Sequence, residues 1–352
     1  MQTKNKAFRD RRSRKLQKKR RIKKQVRSYS CDKKSVSHSK YDNEDYISSY
    51  DYSIDFPEIF SFKYNLDETV DFCASTLKSL NRYMYKSTIL MNMNNVEEVS
   101  ADAIMYLIAI IRNYKTAKIR LFSFCGNYPN NAIARNVFVE SGFLSFVNSN
   151  SKKLPSNSKK QTIVSGRKSD SRTAGIFCDF VCQKLNMPKS YTNKLFEIII
   201  EMMSNVVYHA YKNDDEMIPE WYIYAEYIEN EIRFLFLDTG LGIAKTVQKH
   251  SLYEKVINKF GILSESELIK SAFEGEFRTQ TGEYNHGKGM PYIKEFAFRK
   301  QVKDFHVISG KGHCWINYDE PYIYCKDIPT KLNGTIYSFS LVKTNEEISI
   351  CR

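Results

Sequence analysis

The chain has 352 residues, 42% of them hydrophobic and 27% charged, with a formal net charge of +14. That length supports two domains with cores of their own, and no run of about 18 consecutive apolar residues occurs that would read as a spanning helix. The basic N-terminus leads into no apolar segment and so does not read as a secretory signal, and the eight cysteines are scattered, Cys178 and Cys182 alone sharing a helix face, as expected of reduced buried thiols rather than metal ligands in a cytoplasmic protein.

The charge is concentrated at one end. Residues 1–27 hold fourteen Lys and Arg against a single acid, Asp10, so +13 of the +14 lies there and the remainder of the chain is close to neutral. The following residues are rich in Ser, Tyr and Asp, and residues 1–56 together read as a basic, then acidic, disordered tail with few aliphatics to bury. The basic run is either an arm that binds RNA or DNA through phosphates or a solvated tail folded onto its acidic neighbour. Phe8 is its one aromatic, which does not indicate base stacking.

Residues 57–150 read as a small α/β domain. Strands are expected at 88–93 (TILMNM) and 118–124 (KIRLFSF), and helices at 101–114 and 131–141, the second stopped by Gly142. Strand and helix in alternation imply a sheet with helices on it. Residues 151–173, with Pro155 and many Ser, Lys and Arg, read as a linker. Residues 174–345 form a further segment with helices at 174–185 and 191–211, a strand hairpin at 221–227 and 231–237, and a last strand at 334–341.

Three short stretches of that segment carry chemistry. Leu195, Ile198, Ile199, Met202 and Val206 recur at helical spacing and form a stripe to pack on a sheet. Glu201 and Asn205, four residues apart, share a face of the same helix. An Asn offers a neutral carbonyl oxygen to a hard cation such as Mg²⁺, and a Glu can orient or deprotonate a water or hydroxyl; a polar face turned to solvent is the competing reading. Asp238 ends an apolar strand, where its carboxylate can accept from an adenine amino group while Gly240 and Gly242 let the backbone turn against a flat base. An ordinary Asp-x-Gly turn is the alternative there. Thr281-Gly282 and Gly287-Lys288-Gly289 offer N–H groups to phosphates ahead of a helix near Pro291, with Lys288 as a point charge.

In this order the stretches resemble the GHKL superfamily of ATP-binding domains, shared by histidine kinases, anti-sigma-factor kinases, type II topoisomerase ATPase subunits, and mismatch-repair and heat-shock ATPases. Glu201, Asn205, His209 and Ala210 match the family's N box, Asp238, Gly240 and Gly242 its G1 box, Gly287 and Gly289 its G2 box, and Gly334-Thr335 its final Gly-Thr. The resemblance covers residues 174–345 and implies the Bergerat α/β sandwich with a mixed sheet, with ATP and Mg²⁺ as cofactors. It implies that Asn205 coordinates Mg²⁺, that Asp238 binds the adenine amino group with Gly242 and Thr335 near a bridging water, and that Glu201 is the general base. Gly287, Lys288 and Gly289 would contact phosphates from a lid over residues 243–286, with Arg278, Thr279 and Thr281 at its nucleotide end.

Residues 89–107, with Gly126, Pro129 and Ser141-Gly142-Phe143, are similar to STAS domains, the fold of anti-sigma-factor antagonists. Where antagonists carry a phosphorylated Ser after an Asp, this chain reads Ser100-Ala101-Asp102. Asp102 is then either a fixed negative charge or simply an acid favoured at a helix N-terminus.

The combination implies a cytoplasmic, Mg-ATP-binding regulatory protein that controls a protein partner. It is either a Ser/Thr kinase using Glu201 as base or an ATPase switch in which Glu201 orients water and lid closure reshapes an interface. A nucleotide-gated nucleic-acid-binding protein with little turnover, docking through residues 1–27, is the alternative. A two-component histidine kinase is disfavoured, because His38 is the only histidine before His209 and lies in the tail. No membrane partner is expected, and a homodimer follows from the family rather than from any residue.

Overall fold

The computed structural model describes residues 51–82, 88–117, 123–143, 159–210, 219–277, 289–317, 320 and 322–343. The basic arm 1–27 and the lid residues 278–288, which include Arg278, Thr279, Thr281, Gly287 and Lys288, lie outside the described residues, as does 118–122 of an expected strand. The chain is mixed α/β, and no described helix is long and apolar enough to cross a membrane.

The first lobe is a parallel sheet in the order β1-β3-β5, formed by β1 (Tyr52–Asp55), β3 (Thr88–Asn92) and β5 (Ser123–Gly126). A short pair, β2 (Ile59–Phe60) and β4 (Glu98–Val99), lies beside helices α1 (Leu66–Arg82), α2 (Ala101–Ala117) and α3 (Ala132–Glu140). β1 corrects the expected extent of the tail: residues 52–55 pair in register with 89–92, and Ile54 and Phe56 are buried. Two apolar residues suffice because the neighbouring strand supplies the backbone hydrogen bonds. α3 starts where its local chemistry dictates. The Asn131 Oδ1 accepts from the N–H groups of Ile133 and Ala134 at 2.9 and 3.1 Å, and Gly142, at φ 80°, turns the chain out of the helix.

The second lobe runs β6 (Lys160–Gly166), α4 (Ser171–Leu185), α5 (Asn193–Asn205), a π-helical turn (Val206–Ala210), β7 (Trp221–Ile228) and β8 (Glu231–Asp238). It continues through α6 (Ile243–Gln248), α7 (Tyr253–Phe260), α8 (Glu265–Glu274) and α9 (Gly289–Ala297) to β9 (Val302–Ile316) and β10 (Ile323–Val342). The five strands form one sheet in the order β6-β7-β8-β10-β9, antiparallel at every step. Parallel and antiparallel pairing are thus both present in the chain, divided between its sheets. β7 and β8 meet at Glu229 and Asn230, both at positive φ (51° and 68°), the geometry of a tight two-residue hairpin.

Three readings of composition are overturned here. The expected linker contains β6, which pairs with β7 from Lys160↔Glu226 to Gly166↔Trp221. Its Ser and Lys residues suit an edge strand as well as a loop. α4 begins at Ser171 rather than Ala174 because Asp170 accepts from the N–H groups of Arg172 and Thr173. Cys314 and Cys325, expected as free thiols, face each other in register across β9 and β10 and are joined in a disulfide; Cys73, Cys178 and Cys182 are free.

The sheet is buried on both faces. Ile223, Ala225, Ile232, Phe234, Phe236 and Phe339 point into a core shared with the helices of the second lobe. The alternate residues Tyr222, Tyr224, Leu235, Leu237 and Ile336 point into a core shared with α2 and the strands of the first lobe. This two-sided burial is why β7 and β8 read as nearly continuous apolar runs. The two lobes share this core, and residues 49–352 form one compact unit in place of two domains joined by a linker. Polar ties reinforce the seam: Arg112 of α2 reaches the buried Glu220 at 3.2 Å, and Lys63 reaches Asp304 at 3.4 Å.

Candidate functional site

The helical stripe read from the sequence is the buried face of α5: Leu195, Ile198, Ile199, Met202 and Val206 all lie in the core under the sheet. Burying that face fixes the rotation of the helix and leaves Glu201 and Asn205 side by side at its C-terminal end, both partly buried. Burial raises the Glu201 pKa above the ordinary carboxylate value. The Asn205 Nδ2 is sealed from solvent and has no hydrogen-bond partner among the described residues, a cost of about 1–3 kcal/mol.

At Val206 the helix widens into its π turn, a distortion common at functional sites. The turn delivers the Ala210 carbonyl to the N–H of Leu241, at 2.6 Å. It also brings Ala210 against Gly240, where an added Cβ would lie 2.7 Å from the Ala210 Cβ and closer still to its carbonyl oxygen. Only glycine permits that approach, so the helix end and the Asp238–Gly242 turn interlock.

Asp238, the last residue of β8, is buried and lies opposite both Trp221 and Thr335 in the sheet register. Its carboxylate accepts from the Gly240 N–H at 2.7 Å and from the N–H and hydroxyl of Thr335. Burial outweighs these bonds and pushes its pKa up to about 7. Gly289 opens α9 directly against the Glu201 side chain, where a Cβ would stand 2.6 Å from the carboxyl carbon. Glu201, Asn205, Asp238, Gly240, Gly242, Gly289 and Thr335 therefore converge at one end of the helix-covered sheet face, whereas Gly287 and Lys288 fall outside the described residues.

Two contributors went unread in the sequence. Ser309, fully buried on β9, accepts from the Ile243 N–H at 2.8 Å, donates to the Gly334 carbonyl at 3.0 Å and meets the Thr335 hydroxyl at 3.0 Å. It ties the start of α6 to the Gly334-Thr335 turn. Tyr337, buried beneath the site, has its pKa raised by burial and by the nearby Asp238 and Glu201 carboxylates; its hydroxyl reaches the Met290 Sδ at 3.6 Å. The signal for Ser309 was the alternation Phe305, Val307, Ser309, which marks β9 as a strand, whereas Tyr337 lies within the last strand expected at 334–341.

Asp102, by contrast, faces inward. It sits in the first turn of α2, 8% exposed, accepting from the Ala103 and Phe62 N–H groups and the Ser100 hydroxyl, and burial raises its pKa. It is a helix-terminal acid, not a charge displayed to a partner.

Asp238 and Thr335 present a carboxylate and a hydroxyl near the N-terminus of α9 and the Glu201 side chain. Among the described residues no three His, Cys, Asp or Glu side chains group as metal ligands, so a cation at Asn205 would take most of its oxygens from a ligand or water, the habit of Mg²⁺ with phosphates. Comparison with protein-family models and with curated proteins returns no match.

Proposed function

We propose that the chain is a Mg-ATP-binding regulatory protein of the GHKL type, carrying an STAS-like lobe, that acts on a protein partner as a Ser/Thr kinase or as an ATPase switch. The observation that carries this reading is the convergence of Glu201, Asn205 and the buried Asp238–Thr335 pair near the first residue of α9. Asp238 would accept a hydrogen bond from the adenine amino group, Thr335 and Ser309 hold the Asp238 carboxylate and its turn in place, and Asn205 would offer its carbonyl oxygen to the cation. Glu201, its basicity raised by burial, takes the proton of the attacking hydroxyl or water. Magnesium held with the phosphates would neutralise charge on the transferring phosphoryl group. The parallel sheet β1-β3-β5 with α2 and α3 supports the STAS-like reading of the first lobe.

The test is Mg-ATP binding and turnover by wild type, Asn205→Ala and Glu201→Gln in parallel. Binding lost in Asn205→Ala and turnover lost with binding kept in Glu201→Gln is the expected result. Phosphate release without a partner selects the switch, phosphate transfer to a partner Ser or Thr selects the kinase, and a wild type that binds no ATP ends the proposal.

A further inference from the structure

Tyr106 joins the first lobe to the turn that carries Thr335. Tyr106, near the middle of α2 and 2% exposed, packs edge-on against Phe62 and carries its hydroxyl across the sheet to the main chain of Asn333. There it accepts from the Asn333 N–H at 3.1 Å and donates to the Asn333 carbonyl at 2.8 Å. Asn333 lies in an irregular part of β10, where the register with β9 shifts on both sides of Leu332. Both main-chain polar groups of that residue are therefore satisfied by a side chain, where a regular strand would pair them with backbone.

The next two residues are functional ones in the reading above. Gly334, at φ 88°, folds over the end of β8, where an added Cβ would lie 2.6 Å from the Asp238 carbonyl carbon. Thr335 then delivers its N–H and hydroxyl to the Asp238 carboxylate. The path Tyr106 hydroxyl, Asn333 main chain, Gly334, Thr335, Asp238 is continuous and short. On the same turn Ser309 binds the Gly334 carbonyl from the side of the second lobe. The turn is clamped from two lobes at once.

We infer that Tyr106 is a positioning residue for the nucleotide site, and that through it the first lobe sets nucleotide affinity. The inference rests on the ATP-binding reading for its functional half; the positioning half stands on geometry. A change in how the first lobe seats on the sheet, such as engagement of its outer surface by a protein partner, acts on Thr335 and Asp238 without touching nucleotide.

The experiment compares full-length wild type, Tyr106→Phe and Lys63→Ala. Tyr106→Phe keeps the ring against Phe62 and removes only the hydroxyl, and Lys63→Ala breaks another contact between the lobes, Lys63–Asp304, away from the turn. Two quantities are measured: the Kd for Mg-ATP and amide hydrogen exchange of the nucleotide-free proteins over residues 333–335 and 238–241. Tyr106→Phe should raise the Kd about five-fold, the worth of one hydrogen bond, and speed exchange in both segments, while Lys63→Ala changes neither. Unchanged exchange in Tyr106→Phe, or equal changes in both variants, overturns the positioning claim. Faster exchange with an unchanged Kd overturns the control of affinity. A wild type that binds no ATP defeats the functional reading, and the exchange data still decide the positioning.

Discussion

Asp238→Asn should make the nucleotide-free protein more stable at alkaline pH while abolishing the adenine contact proposed for it. The Asp238 pKa lies near 7 in the folded protein against an ordinary value of 3.8, because burial penalises the ionised carboxylate more than its bonds to Gly240 and Thr335 repay. A raised folded-state pKa means that the folded chain holds the proton more tightly than the unfolded chain. The resulting stability is full below the unfolded value and is lost as pH rises through about 7. At 1.36 kcal/mol per unit, the shift costs up to about 4 kcal/mol at pH 8, against under about 2 kcal/mol at pH 5. Asparagine removes that cost but turns an amide toward groups that donate, losing about 1–3 kcal/mol at either pH. The variant should therefore be about 1–3 kcal/mol more stable than wild type at pH 8 and close to parity at pH 5, a pH-dependent difference of about 3 kcal/mol. Urea unfolding of both proteins at pH 5, 6, 7 and 8 measures it. A wild-type-to-variant difference that stays flat across this range refutes the argument, because Asp238 would then ionise alike in folded and unfolded chains.

Three further substitutions separate architecture from ligand chemistry. Asn205→Ala removes an amide whose Nδ2 has no partner, so the melting temperature should hold within about 2 °C or rise slightly, since Ala favours the helix, while Mg-ATP affinity falls at least ten-fold; a marked loss of stability would contradict the unpartnered amide. Gly240→Ala drives a methyl into Ala210 and should cost upward of about 2 kcal/mol in unfolding free energy, with circular dichroism and denaturant titration as the readout. Ser309→Ala strands the Ile243 N–H in the core, at about 1–3 kcal/mol, and should loosen α6 in hydrogen exchange ahead of the rest of the second lobe.

Much of the fold is legible in the sequence where its signals are local. The α5 stripe, the Asp-x-Gly-x-Gly turn after an apolar strand and the Gly142 stop each follow from side-chain periodicity or from glycine's backbone freedom within a few residues. Elements held mainly by distant partners were missed or misread. β1 reads as tail, β6 as linker and β9 is not expected, since an edge strand with polar residues looks like a loop until its neighbour is known. Cysteine pairing failed for the same reason: the approach of Cys314 and Cys325 is a property of strand register, not of sequence spacing.

Sequence alone names the candidates for chemistry and their order, because Glu201, Asn205, Asp238 and the glycines are identities that no packing can change. It also determined that the basic charge lies in residues 1–27. Tertiary packing is needed to set Glu201 against the start of α9, to bury Asp238 so that its pKa rises, and to turn Asp102 inward. It alone decided that the first lobe closes over the back of the sheet and reaches the candidate site through Tyr106. Burial, electrostatic environment and contacts between residues 227 apart arise from the closure of long loops and the sharing of one core, and neither is encoded in any short window of the chain.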